Sequence, residues 1–300
     1  MLLVNSMQGL LLIDKPIDIT SYKAVAIVKH LSGEKRVGHT GTLDPMATGV
    51  LPVFLGRATL LSSFLLEADK QYIATIRLGI ATDTCDITGN IENEFEVNVT
   101  DADIFNILEQ FRGDVVQTPP MYSALKQNGM RLCDLARKGI KTQIPARLVN
   151  IKEIEILTGL NGENEFTIKV TVSKGTYIRS LARDIGEALG CGGCLTSLQR
   201  IFTGGFSIND CVDLNALTAE NISNYILPAE KAVEHFRVVN ITEGKARRFK
   251  CGGELDLSLL DVDNAIDDEI FRVKYNDSLI GLGQADLNKN QLKIKCLLEL

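Results

Sequence analysis

Between Gly38 and Gly56 the chain reads GHTGTLDPMATGVLPVFLG, nineteen residues whose one formal charge is Asp44, set between Leu43 and Pro45. A solvated loop carries several polar or charged residues and a core strand carries none, so the stretch fits neither pattern. A lone carboxylate in apolar surroundings suits nucleophilic or electrostatic work, because a dry setting strengthens its field. It equally suits a turn, where Asp is a favoured residue. Three further side chains offer matching chemistry: Tyr72 in KQYIATIRLG, and Tyr177 and Arg179 in SKGTYIRSLARD. An arginine at the strand-to-helix junction after Gly175 is placed to reach the Asp44 loop and keep its carboxylate ionised, since a nearby positive charge offsets desolvation. Each of these residues also has a plain reading, as core tyrosines and a surface helix cation.

Other familiar constellations are absent. There is no G-x-x-x-x-G-K-S/T loop and no G-x-S-x-G elbow, and GLGQAD near the C-terminus lacks the third glycine and following helix of a dinucleotide site. The three histidines, His30, His39 and His235, have no ligand spacing with one another. CGGC at 191–194 follows a predicted helix instead of opening one, so it lacks the dipole that activates a thiol, and no second C-x-x-C completes a zinc site. Seven scattered cysteines without a secretory signal favour free thiols. With no apolar run of about eighteen residues, no membrane partner is expected and the protein reads as cytoplasmic.

Net charge is −6, but the acid is local. Residues 254–269 hold seven acidic side chains and no basic one; without them 32 basic residues face 31 acidic ones. By contrast, 121–152 carries Lys126, Arg131, Arg137, Lys138, Lys141, Arg147 and Lys152 against Asp134 alone, and KARRFK at 245–250 is basic at four of six positions. Such patches bind phosphates through local neutralisation, whatever the net charge. Each also reads as a solvated basic face.

The elements around these residues follow from periodicity. GLLLIDKP reads as a buried strand stopped by Pro16, and residues 20–33 as an amphipathic helix capped by Thr20 and ended by Gly33. GVLPVFLG is a short apolar strand, and RATLLSSFLLEADK reads as helical. In KQYIATIRLG, alternation puts Tyr72, Ala74, Ile76 and Leu78 on one strand face. DADIFNILEQFRG is a helix capped by Asp101 and ended by Gly113. Residues 121–147 form a long basic connection with one helical piece from Arg131 to Lys138; connections of that length inside a compact domain are usually functional. LVNIKEIEIL and EFTIKVTVS form a hairpin across TGLNGEN, and a helix spans Tyr177 to Leu189. From Arg237 onward FRVVNI, IFRVKY and LKIKCLLEL are short strands of a small β-rich second domain. The class is α+β, with one domain over 1–235 and a second over 236–300.

LLLIDKP, GHTGTLDPMATGVLP, KQYIATIRLG, DTCDITG, FRGDVVQTPPMYSALK, SKGTYIRSLARDIGEALG and LTSLQR occur in that order across residues 9–200. In this ordered set the chain resembles the TruB family of tRNA pseudouridine synthases. The resemblance implies a pseudouridine-synthase fold with a central, mixed and mostly antiparallel sheet flanked by helices and loops. It implies that Asp44 is the catalytic carboxylate, that His39 contacts substrate, that Tyr72 stacks on the base, and that Tyr177, Arg179 and Leu198 line the pocket, with Lys15 in support. The C-terminal stretch resembles a PUA-type RNA-binding domain. The expected substrate is uridine 55 in the T arm of tRNA, bound by a monomer without guide RNA.

Converting uridine to pseudouridine breaks the N1–C1′ bond, turns the uracil and joins C5 to C1′, with nothing oxidised and no group imported. One carboxylate suffices, and no metal or organic cofactor is expected. Attack at C1′, attack at C6 and a glycal-like route are all compatible with these residues. The target base has to leave folded RNA and stack on an aromatic surface, a task suited to Tyr72 with Leu198 opposite. His39 would fill the gap in the RNA or brace the flipped backbone, and Lys126, Arg131, Arg137, Lys138 and Lys141 would grip phosphates as a clamp over 121–147. Two rivals are a tRNA-folding chaperone, which does not need Asp44, and a nucleoside glycosidase, which would need a second carboxylate paired with it.

Overall fold

The computed structural model describes residues 7–127, 129–140 and 142–298, so Lys141 lies outside the described residues, as do Glu299 and Leu300 at the end of the last expected strand. Strand β1 (Gly9–Lys15) stops at Pro16, which has no N–H to continue a ladder. Helix α1 (Ser21–Ser32) starts where Thr20 Oγ1 accepts from Lys23 N at 3.0 Å and ends at Gly33 with φ +67°. Strand β2 (Val37–His39) leads into the Asp44 loop, and β3 (Thr48–Leu55) leaves it. The stretch expected to be one helix after β3 is a 3-10 segment, Gly56–Leu61, followed by the short α2 (Ser62–Leu66). Thr59 Oγ1 donates to the Gly56 carbonyl at 2.8 Å, a local bond that competes with α-helical pairing.

Strand β4 (Lys70–Leu78) alternates as expected, with Tyr72, Ala74, Ile76 and Leu78 buried. Helix α3 (Asp101–Glu109) is capped by Thr100, not Asp101: Thr100 and Asp103 form a reciprocal capping box. Asp101 instead accepts from Leu160 N at 2.7 Å, a contact with no local signature. The helix ends before Gly113, which opens β5 (Gly113–Gln117). In the basic connection a two-stranded hairpin joins Lys126–Gln127 to Met130–Arg131, and α4 (Leu132–Arg137) follows. Strands β6 (Arg147–Thr158) and β7 (Glu165–Val172) form the expected hairpin, then come α5 (Ile178–Ala188) and β8 (Gly193–Thr203).

The main sheet contains the run β1-β3-β8-β4-β7-β6-β5, antiparallel along that run except where β8 lies parallel to β3, and the short strand Val212–Asp213 pairs parallel on the outer side of β1. At that parallel contact Gly49 has φ +105°, and a Cβ there would stand 2.2 Å from the Arg200 carbonyl, so only glycine lets the strands meet. One core holds Leu11, Ile13, Leu43, Met46, Tyr72, Ile178 and Leu198 together with α1, α3 and α5. No helix among the described residues is long and apolar enough to cross a membrane.

A second sheet follows: β9 (Arg237–Asn240), β10 (Ile270–Tyr275), β11 (Ser278–Asp286) and β12 (Gln291–Leu297) in that order, with α6 (Glu243–Lys250) packed by Ala246 and Phe249. GLGQAD lies within β11. KARRFK lies on α6, where Arg248 Nε donates to Glu254 O at 2.8 Å and Lys245 Nζ to Leu259 O, tying two of its cations to the acidic segment. The second sheet shares a hydrophobic cluster with the back of β1 and β3 through Leu282 and Leu298, and Arg57 donates to Leu297 O at 2.9 and 3.2 Å.

Candidate active site

The backbone of the Asp44 loop is held by groups that leave the carboxylate to a single arginine. Ser21, the first residue of α1, brackets Leu43: its Oγ accepts from Leu43 N at 2.9 Å and donates to Leu43 O at 3.0 Å. Leu43, Met46 and Ala47 plug into the core, and Ala47 N closes a turn onto Asp44 O at 3.1 Å. Thus both readings of Asp44 are met at once: its backbone makes the turn and its side chain is left to pair with the arginine. Lys15, fully buried, donates to Pro16 O, Ile19 O and Pro45 O at 2.7, 2.8 and 3.4 Å. Burial pushes its ammonium down to about 8, against the pull of Asp44 and Asp18. Lys15 therefore braces the loop from below.

Arg179 meets Asp44 side-on, Nε to Oδ2 at 2.8 Å and Nη2 to Oδ1 at 3.0 Å. Its side chain is 5% exposed and that of Asp44 31%, so the arginine is interior and the carboxylate is the more open of the two. The remaining donors are also used: Nη1 to Thr84 O at 3.0 Å and Nη2 to Tyr122 O at 2.8 Å. Burial raises the Asp44 carboxyl above the ordinary carboxylate value and outweighs the Arg179 charge and hydrogen bonds, which lower it. The guanidinium therefore offsets desolvation only in part.

A second carboxylate, which the motif order carried but the residue chemistry did not single out, lies across the same arginine. Asp86 Oδ2 is 3.5 Å from Arg179 Nη1, and Asp86 is buried. Its Oδ1 accepts from Thr84 Oγ1, Thr88 N and Thr88 Oγ1 at 2.9, 3.0 and 2.6 Å. The T-C-D-I-T spacing is the signal for this: two threonines flank an acid within reach of its oxygens. These bonds lock Asp86 inside as a partner of Arg179, and its negative charge adds to the forces raising the Asp44 carboxyl.

Tyr72 sits 7% exposed on β4, in register with Arg200 of β8 on one side and Val170 of β7 on the other. Leu198, two residues before Arg200 on β8, opposes Ala74 and is also buried. Both belong to the core cluster that holds Leu43, Met46 and Ile178, so the structure brings them under the Asp44 loop. Arg200 was not among the expected site residues. Buried to 1% exposure, it donates to Val50 O at 2.8 Å and Gly41 O at 2.9 Å, fastening the GHTG turn. His39, at the end of β2, has Nδ1 buried without a hydrogen-bond partner; burial, helped by Arg200, holds its imidazole below the usual range and so neutral. Tyr177 is half-buried at the start of α5, after Gly175 turns the chain at φ +84°.

Lys126, Arg131, Arg137 and Lys138 are all exposed, while Leu132 and Leu135 pack α4 inward. The basic residues thus lie on the outside of an insertion whose Tyr122 carbonyl Arg179 holds. Cys191 and Cys194 are buried and raised by that burial, Cys194 to about 11, as poor thiolates. Among the described residues no three His, Cys, Asp or Glu side chains converge as a metal site.

Two family models match residues 29–234: the TruB family pseudouridylate synthase N-terminal domain over residues 29–178 and the tRNA pseudouridylate synthase B C-terminal domain over 179–234. A protein of Clostridium tetani named tRNA pseudouridine synthase B is 45% identical over 280 residues, 93% of this chain and 96% of that one. Its namesake in Clostridium kluyveri is 43% identical over 92% of this chain and 95% of that one. Among solved structures, a Cbf5-Nop10-Gar1 complex contains a chain with a TM-score of 0.74 at 27% identity, covering 96% of this chain and 84% of its own. With the α+β architecture and an Asp–Arg pair in the expected loop and helix, these matches identify the chain as a member of the TruB family of pseudouridylate synthases.

Proposed function

We propose that this protein isomerises uridine to pseudouridine in tRNA, at uridine 55 of the T loop, acting as a monomer without guide RNA. The observation that carries the reading is the two-bond pair of a partly exposed Asp44 and a buried Arg179, set in a loop whose Leu43 and Met46 belong to the core cluster of Tyr72 and Leu198. Attack at C1′, attack at C6 and a glycal-like route share one need, a carboxylate aimed at the sugar–base junction, and Asp44 meets it. Arg179 keeps that carboxylate oriented, and the surrounding apolar residues keep water from the detached uracil. Tyr72 stacks on the flipped base, with Leu198 against its other face and Tyr177 on the wall. His39, neutral and on the same loop as Asp44, braces the RNA from which the base has left. Lys15 positions the loop without touching substrate. Lys126, Arg131, Arg137 and Lys138 grip the T arm, and Lys141 belongs to the same basic run. Residues 1–235 form the catalytic unit and 236–300 a PUA-like unit.

The test is to incubate the purified chain and its Asp44→Asn variant with unmodified tRNA and map every pseudouridine formed. Wild type is expected to modify the T-loop uridine, and the Asp44→Asn variant to lose on the order of ten-thousandfold or more in rate while still binding. Binding by both without product would favour a chaperone.

A further inference from the structure

The basic insertion is rooted in two residues that face each other: Gln117, the last of β5, is in register with Arg147, the first of β6. Both hold Tyr177. The Gln117 amide treats the tyrosine backbone as a neighbouring strand would, Oε1 accepting from Tyr177 N at 2.8 Å and Nε2 donating to Tyr177 O at 3.1 Å. Gln117 is buried, so water does not compete for these bonds. Arg147 holds the ring instead. Its guanidinium carbon lies 4.9 Å from the Tyr177 ring centre, within cation–π range, and its Nη2 donates to Gly175 O. Arg147 Nε is buried with no partner. A guanidinium stationed for stability alone would settle where its donors are paired; this one is stationed over the ring.

We propose that Arg147 is a positioning residue for the isomerisation, setting the Tyr177 ring and, with Gln117, joining the root of the RNA-gripping insertion to the aromatic wall of the pocket. The inference rests on the function proposed above. RNA held by the insertion loads its two roots, and a shift of either root moves Tyr177, because each is bonded to it. The Arg179 bond to Tyr122 O carries the same load to the arginine that orients Asp44.

The test uses the full chain and unmodified T-arm RNA, comparing Arg147→Lys, which keeps the charge but loses the planar fork, with Arg147→Ala. Arg147→Lys is expected to keep wild-type affinity and salt dependence while its single-turnover rate falls roughly ten- to a hundredfold, the loss a misplaced group brings. Combined with Tyr177→Leu, it should be no slower than Tyr177→Leu alone, since no ring is left to position. An unaltered rate in Arg147→Lys, or additive losses in the double variant, overturns the proposal. If Arg147→Lys does not fold, Gln117→Met decides: it is close in volume, brings no charge into the buried position, removes both bonds to the Tyr177 backbone and should slow the same step, and a wild-type rate there also overturns it. A wild-type protein that forms no pseudouridine overturns the underlying reading and this inference together; an active wild type with unaffected variants overturns this inference alone.

Discussion

The loop between β2 and β3 and the insertion between β5 and β6 both bond to Arg179, and they are held in different ways. The first is bonded along its length to Ser21, Lys15, Arg200 and Arg179, with Leu43 and Met46 as apolar plugs. The second is bonded to the body at Thr118 and Tyr122, which accept from Ser180 and Arg179. Beyond Tyr122, among the described residues, its bonds run within the insertion, as from Thr142 Oγ1 to Gln127 Oε1. A carboxylate that has to meet one bond of one sugar needs a fixed frame. Cations that have to meet phosphates along a helix need reach and charge more than a single geometry. The contrast predicts that damage to the first region strikes the chemical step and the fold, whereas damage to the second strikes affinity.

The largest effect should come from Arg179→Ala. It leaves Asp44 and Asp86 without their shared counter-charge, and breaking a buried pair in this way costs about 3 kcal/mol, the low end of the usual range because Asp44 is partly open to solvent. Thermal unfolding should show a fall in Tm of roughly 6–12 °C, with product formation near background. A variant as stable as wild type would mean that the two carboxylates do not depend on this arginine.

An intermediate effect concerns pH. Because burial raises the folded-state pKa of Asp44, the protonated form is favoured in the folded protein relative to the unfolded chain. Its contribution to stability is full below the unfolded value and is lost as pH rises through the raised folded value. Activity runs the other way, since the ionised form does the chemistry and is lost as pH falls through that same value. The single-turnover rate should therefore decline on an acid limb lying above the ordinary carboxylate value of 3.8. Asp44→Asn should match or exceed wild-type stability at neutral pH, with the difference shrinking towards acid. A Tm difference that grows on acidification would reverse the sign and sink the desolvation account.

The smallest effect belongs to the exposed insertion. Replacing Arg137 and Lys138 with Ala should leave Tm and the rate at saturating RNA unchanged, and should flatten the plot of log affinity against log salt by roughly 1 to 2. An unchanged salt slope, read by filter binding across a salt series, would remove these two residues from the grip.

Much of the scaffold was readable from local chemistry. Thr20 and Gly33 bound α1, alternation placed Tyr72 inward, and Gly175 marked the turn into α5, because each depends on residues within a few positions. Local rules misplaced the cap of α3, where the Thr100–Asp103 box is the stronger arrangement and Asp101 is drawn to Leu160. They also ran α2 too long, across the Thr59–Gly56 bond.

By itself the sequence determined that an acid stands alone in an apolar loop and that an arginine follows a glycine turn, since residue type and spacing are properties of the chain. Tertiary structure alone decided that these two, 135 positions apart, share two hydrogen bonds, that Asp86 backs the same guanidinium, and that Gln117 and Arg147 converge on Tyr177. The reason is physical. A buried charge or polar side chain is tolerated only where its partners arrive together, and that arrival is set by how β8, β4 and α5 pack around one core.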